Sequence, residues 1–206
     1  MTSSPPVREA LLAAARDELT EHGHAGISLR AVARRAGVSH AAPKHHFGDR
    51  GGLLTAVAAE GFDALTAALT AALGDLDDDA APAAVRLAAL GRAYVQFGLR
   101  HPALFDLMFR PAELHPDDPT LTRSRQRSLS VLSAAVTELA PSELEPSGTP
   151  DLALLSWALA HGLVVLARDG ALPNAAGRAP EDTSLPLGLI GLFSQSVAGD
   201  DGRHTP

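Results

Sequence analysis

The stretch Ser28–Phe47, Ser-Leu-Arg-Ala-Val-Ala-Arg-Arg-Ala-Gly-Val-Ser-His-Ala-Ala-Pro-Lys-His-His-Phe, limits what this chain can fold into more than any other. Leu29, Val32, Ala33 and Ala36 recur at helical spacing and mark the inner face of a short helix. Gly37 suits a turn position of positive φ, where a Cβ would be strained. Val38 returns an apolar side chain inward, and the Ser39 hydroxyl is placed to accept from the free amides that open a second helix. Two short helices joined by a tight glycine turn make a helix-turn-helix, whose second helix can lie in the DNA major groove.

Apolar periodicity extends this pattern in both directions. Upstream, Val7, Leu11, Ala14 or Ala15, and Leu19 trace one helical stripe that opens near Pro6 and closes at Gly23. Ile27 then enters the turn as an apolar anchor. Three helices suffice for a small DNA-binding head. Downstream, Asp49 is a natural N-cap for a long helix carrying Leu53, Leu54, Val57, Phe62, Leu65, Leu69 and Leu73 to about Gly74. Met1–Pro6 reads as a disordered arm and Asp75–Asp79 as a solvated acidic link.

Further helices are expected from Pro82 to Arg100, over residues 103–109, from Thr120 to Ala140, from Asp151 to Gly170 and from Leu185 to Val197. The segments Pro141–Pro150 and Leu172–Thr183 read as links, and the tail from Gly199 as disordered. No period-two strand pattern interrupts them. The expected fold is all-α with about nine helices. Residues 1–52 form the helix-turn-helix head, its last helix beginning near 50, and residues 53–206 form a helical body. The Asp151–Gly170 helix is apolar on all sides, which requires cover on all sides.

A net charge of -7 argues against DNA binding only if it is spread evenly. Residues 1–50 carry seven basic and five acidic side chains, a balance of +2, and the remainder carries ten and nineteen, a balance of -9. The asymmetry fits a nucleic-acid-binding head on an acidic body. Absence of cysteine suits a reducing compartment. With no secretory pattern at the start and no apolar run near the ~20 residues of a membrane span, a cytoplasmic protein without membrane contact is expected.

The helix followed by Leu-Arg-Ala-Val-Ala-Arg-Arg-Ala-Gly-Val-Ser, a short helix ending in His46-Phe47, and then Leu53-Leu54 resembles the TetR family of transcriptional regulators over roughly residues 7–60. Within the body, His101-Pro-Ala-Leu-Phe and Trp157-Ala-Leu-Ala-His161-Gly162 resemble the type named after a Trp-His-Gly signature. The resemblance implies a homodimeric, ligand-responsive repressor on a palindromic double-stranded operator, released by a small apolar or amphipathic effector. It also implies that the last two helices pair with their mates across a twofold axis. Leu154, Ala158, Gly162, Leu187, Ile190 and Gly191 are the expected interface residues, and Ala158, Gly162, Gly188 and Gly191 are small enough to allow close helix approach.

His40, Ala41 and Lys44 face outward from the second helix and are expected to read bases. Arg30, carried over from the resemblance, is expected to reach a base or phosphate. Ser28, Ser39, His45 and Arg50 are phosphate candidates, with helix capping the alternative role for both serines. His46 and Phe47 are expected in an interface or core. Lys44 stands where the family often carries an aromatic residue. If Ser39 caps, Pro43 occupies the fourth helical position and shortens or distorts the helix. In the body, Tyr94, Phe97, Phe105, Met108, Phe109, Trp157 and His161 can line an effector pocket, or simply pack the core. A buried His161 must find a partner in the protein or in a ligand.

No metal and no cofactor are expected. His40 and His45 are five apart, wide of the three or four that pairs ligands on one helix face, and no residue completes a tetrahedral shell. Nor is there a Gly-rich phosphate loop, a Gly-x-Ser-x-Gly elbow or a cysteine nucleophile, so no enzyme is expected. The competing reading is a dimeric ligand-sensing or protein-binding module that does not read DNA sequence, with a helical enzyme the more distant alternative.

Overall fold

The computed structural model describes residues 7–76, 81–139, 151–179 and 182–198, and among them there is no strand. The expected arm Met1–Pro6, Asp77–Asp79 of the acidic link, the loop Pro141–Pro150 and the tail from Gly199 lie outside the described residues. Ten α-helices and one 3-10 turn follow in order. They are α1 (Val7–Gly26), α2 (Leu29–Arg35), α3 (Ala42–Phe47), α4 (Arg50–Gly74), α5 (Ala83–Arg100) and α6 (Pro102–Met108). After the turn Pro111–Glu113 come α7 (Pro119–Leu139), α8 (Asp151–Arg168), α9 (Ala171–Ala175) and α10 (Ser184–Ala198).

The helix beyond the expected nine is α9, inside a stretch read as a link. Gly170 adopts φ 74° and ends α8. The chain then makes one more helical turn, in which Pro173 occupies a first-turn position whose N–H has no intrahelical acceptor to lose. Its proline and flanking glycines disguise it as a loop.

The chain divides into two units, residues 1–64 with 101–126 and residues 65–100 with 127–206. The division runs through α4 and α7 rather than falling between residues 52 and 53, because the segment after His101 returns to the first unit.

In the first unit, α1 supplies buried Leu11, Leu12, Ala15 and Leu19, and α2 supplies Val32 and Ala33. Ile27, Leu53, Leu54, Val57 and Ala58 complete that core, whereas Val7 lies exposed at the start of the expected stripe. Gly23, at φ 66° and ψ 173°, breaks α1 where a cap was expected. Against α4, α6 approaches so closely at Gly61 that an added Cβ would stand 2.8 Å from Met108 Sδ.

In the second unit, α5 packs on α8 and α10. Leu87, Val136 and Ala153 form a buried cluster with Leu132, Leu152 and Phe193 against it. Gly91 permits the closest approach, since a Cβ there would stand 2.6 Å from Ile190 Cγ2. One face of α8 is buried through Ala153, Ser156, Ala160, Leu163 and Val164. The opposite face is not covered as its composition requires: Leu154, Leu155, Trp157, Val165 and Leu166 stay exposed.

Two helices among the described residues overturn the expectation that no apolar run nears the length of a membrane span. By length and composition, α4 and α8 are each apolar enough to cross a membrane. Core helices of non-membrane proteins meet the same test, and α4 buries Leu53, Leu54, Val57, Phe62 and Leu65 within the fold.

Candidate nucleic-acid interface

The helix-turn-helix is fixed by local backbone chemistry. Ser28 caps α2, its Oγ accepting from the Ala31 N–H at 3.2 Å. At the other end Gly37 takes φ 67°. Its N–H donates to the Arg34 carbonyl at 3.2 Å, while the Val38 N–H donates to the Ala33 carbonyl at 3.1 Å. This pair of bonds is a Schellman motif, which satisfies carbonyls the helix end leaves open.

Ser39 does not cap α3. The Ala42 N–H bonds the Ser39 carbonyl at 3.0 Å, the turn continues through His40, and the cap position falls to Ala41, without a side-chain bond. Helix α3 therefore starts later than expected and Pro43 lies in its first turn. There a missing N–H removes nothing. Its ring is buried, which makes Pro43 an anchor of α3 rather than a distortion in it. No sequence pattern announced this, because the reading hung on which residue caps.

Ser28, Arg30, Ser39, His40, Ala41, Lys44 and His45 are all exposed. His46, expected in an interface or core, is exposed too, with its ring edge-on to His45 at 5.3 Å, while Phe47 is half-buried. Arg50 has a different task from the expected phosphate contact. Its Nε donates to the Ile27 carbonyl at 3.1 Å, Nη2 to the His24 carbonyl at 2.6 Å, and Nη1 to Glu113 at 2.6 Å.

This distribution sorts the basic residues of the head. Arg16 pairs with Glu60, Arg35 with Glu18 and Glu21, and Arg50 with Glu113. The Arg35 bonds hold Glu21 below the usual carboxylate range, and the Arg50 bond does the same to Glu113. Arg8, Arg30, Arg34 and Lys44 make no ion pair among the described residues, and all four are exposed. Arg8 and Arg34 were not singled out in the sequence. The signal that separates them from Arg16 and Arg35 is the position of partner carboxylates up to 44 residues away, which only the fold supplies.

A strap of chain after α6 fastens the start of α4. The Thr55 hydroxyl donates to the Gly51 carbonyl at 2.7 Å and accepts from the His115 N–H at 2.8 Å. His115 Nε2 lies 3.2 Å from Asp49 Oδ1, the atom that also accepts the Gly52 N–H at 2.8 Å and so caps α4. Gly52 itself has no room for a Cβ, which would collide with the Phe47 carbonyl oxygen. The end of α3 and the start of α4 are thus in backbone contact. Among the described residues, no three of His, Asp and Glu converge to hold a metal ion.

The seven expected pocket residues fall into two groups, in different units. Phe105 and Met108 are buried in the first unit, where the Phe109 ring stands 5.0 Å from Phe105 and 5.4 Å from Phe62. Tyr94, Phe97, Trp157 and His161 belong to the second. There the Trp157 indole N–H donates to the Tyr94 hydroxyl at 3.1 Å, and that hydroxyl lies 3.0 Å from His161 Nδ1. His161 therefore has a partner within the protein. Burial holds its pKa below the ordinary imidazole value and pushes the Tyr94 phenol up, against a smaller opposing effect of the Trp157 bond.

Of the expected interface residues, Leu154 and Ala158 are exposed, and Gly162 and Leu187 half-buried. Ile190 and Gly191 are buried within the single chain, Ile190 against Gly91 and Gly191 beside the Arg92 guanidinium. Leu155 at 63% exposure and Leu192 at 64% are the most exposed large apolar side chains among the described residues.

Residues 11–57 match the family model described as bacterial regulatory proteins, tetR family, and residues 87–185 match that of the tetracyclin repressor-like C-terminal domain. Among solved structures, a protein with unknown function from Rhodococcus sp. RHA1 is 34% identical, with 96% of each chain covered and a TM-score of 0.77. A bacterial regulatory protein in the tetR family from Rhodococcus RHA1 is 20% identical over 95% of this chain and 97% of its own, with a TM-score of 0.65. The regulator LfrR from Mycobacterium smegmatis, solved with proflavine, is 22% identical over 93% and 95%, with a TM-score of 0.59. The last two share the fold. The chain matches no curated protein at a significant level.

Proposed function

The chain belongs to the TetR family of DNA-binding transcriptional regulators, and from that premise we propose a homodimeric repressor that binds a palindromic operator and releases it when a small apolar or amphipathic effector enters the body. The observation that carries the DNA reading is the division of the cations. Arg16, Arg35 and Arg50 face carboxylates, while Arg30, Arg34 and Lys44 stand exposed without one among the described residues. His40, Ala41 and Lys44 are the proposed base-reading positions, and Ser28, Arg30, Ser39 and His45 the proposed backbone contacts. Arg50 leaves that set.

Dimerisation is proposed through the open face of α8 and α10, centred on Leu154, Leu155, Ala158, Leu166 and Leu192. Contiguous exposed apolar surface of this kind marks an association site. Twofold pairing then calls for two half-sites about one helical turn apart, or a multiple of it. The proposed effector site is the Tyr94–Trp157–His161 group, with Phe97 buried in the same unit. A cytoplasmic location follows from the same reading.

The test is binding of the full chain to intergenic DNA upstream of its own coding sequence, against scrambled duplex, across a salt series. Binding that is tighter on the native DNA and relieved by an effector supports the proposal. Equal affinity for both duplexes overturns it in favour of a module that does not read DNA sequence.

A further inference from the structure

We infer that Arg8 is a phosphate contact of this head, seated over the Phe47 ring at the end of the recognition helix. The inference rests on the DNA-binding reading of α3. Arg8 is the second residue of α1, is exposed, and places its guanidinium carbon 5.5 Å from the Phe47 ring centroid.

Three observations separate this arginine from a merely structural one. Helix stability does not call for it, because a cation in the first turn stands at the positive end of the helix dipole. Charge neutralisation does not explain it either, since Arg8 has no ion pair among the described residues, unlike Arg16 and Arg35. The third is its seat. An aromatic face orients a guanidinium without consuming its in-plane N–H donors, which are the ones that fork onto phosphate oxygens.

Position completes the argument. Helix α3 has six residues and is about 9 Å long, less than the ~12 Å width of the major groove it is proposed to enter. Groups just beyond its end therefore meet the groove wall, which is made of phosphate. Arg8 is held at that end by Phe47, so the opening of α1 and the close of α3 grip the backbone together. Such a contact positions the head and adds affinity that does not depend on sequence.

The experiment uses the full chain with two labelled duplexes, one enriched by the protein from a randomised pool and one scrambled, titrated between roughly 50 and 200 mM salt. Arg8→Ala is expected to lower the slope of log affinity against log salt by about 0.9 per bound head, so that about 3.5-fold less affinity per head is lost across that range. Affinity should fall by a similar factor on both duplexes, with helix content and melting temperature unchanged. Arg8→Lys should restore most of the slope. In a Phe47→Leu background, Arg8→Ala should have a smaller effect.

An unchanged slope on both duplexes overturns the inference, as does a loss confined to the enriched duplex or a loss of folding that accounts for it. If the protein enriches no sequence, the regulator reading fails separately, and the slope on scrambled duplex still decides the role of Arg8. If the protein binds neither duplex, both fall.

Discussion

Arg50 and Glu113 stand 63 residues apart in the chain and meet at 2.6 Å, with Arg50 also holding the carbonyls of His24 and Ile27. One guanidinium thereby joins the end of α1, the entry to α2, the start of α4 and the strap after α6. Arg50→Ala is expected to destabilise the first unit by about 1–2 kcal/mol, through the two carbonyls that lose a charged donor. Urea unfolding followed by signals from that unit checks this.

The same pair has a pH signature. Arg50 holds the Glu113 carboxyl below its ordinary value, so the stability it contributes is present above the unfolded pKa and disappears as pH falls through the lower folded value. Unfolding midpoints measured from neutral pH into acid should drop in that window, and Glu113→Gln should flatten the drop. An identical acid limb in wild type and variant would show that the pair has no such role.

Two glycines should respond to alanine in opposite directions. Gly52→Ala drives a Cβ into the Phe47 carbonyl, and because backbone cannot swing aside the expected loss is on the order of 2–3 kcal/mol. In a single chain Gly162→Ala meets nothing within 4 Å, and should stabilise α8 by up to about 1 kcal/mol. If α8 lies in the dimer interface, the Gly162 variant should also weaken self-association. Thermal melts and sedimentation read the two effects separately.

His161 should titrate below the ordinary imidazole range, because burial disfavours its charged form. The unfolded chain then takes up a proton first, so stability is full above about pH 6.5 and declines as pH falls toward the folded pKa. Tyr94→Phe should shift the imidazole nitrogen resonances by removing the hydroxyl 3.0 Å from Nδ1. We expect the neutral ring to carry its proton on Nε2, since the Tyr94 proton can serve Nδ1 while its oxygen accepts from Trp157. Nitrogen-15 spectra showing the opposite tautomer would reject this.

Leu155→Glu with Leu192→Glu tests the open face. Both side chains are mostly exposed in the chain, so folding stability should change by no more than about 0.5 kcal/mol for each substitution. Light scattering should nevertheless show a monomer, and operator affinity should fall with it. A dimer that persists would place self-association elsewhere.

Local chemistry made the head readable in the sequence. Gly37 at positive φ, Ser28 and Asp49 as caps, and the buried set Val32, Ala33 and Leu53 each follow from rules spanning a few residues. Ser39 misled because its type suits a cap and the geometry placed that cap two residues later. Arg50 misled for another reason. An arginine beside a recognition helix looks like a phosphate contact until Glu113 arrives from a distant segment.

The body was legible as helices but not as faces. Helix α8 is apolar all round, so its sequence cannot tell which side meets α5, and no pattern in α10 announces that Gly91 receives Ile190. Nor could periodicity separate Phe105 and Met108 from Tyr94 and Phe97, because Phe97 and Phe105 are eight residues apart and yet belong to different units.

The buried ring of Pro43 has a consequence for how this head could acquire a new target. It fastens α3 through a group that neither donates a hydrogen bond nor faces solvent, and the solvent-facing His40, Ala41, Lys44 and His45 surround it without sharing its task. Those four positions can be randomised in a library while the peg stays fixed. Retargeting this regulator then becomes a matter of exchanging surface residues, with the scaffold left as it is.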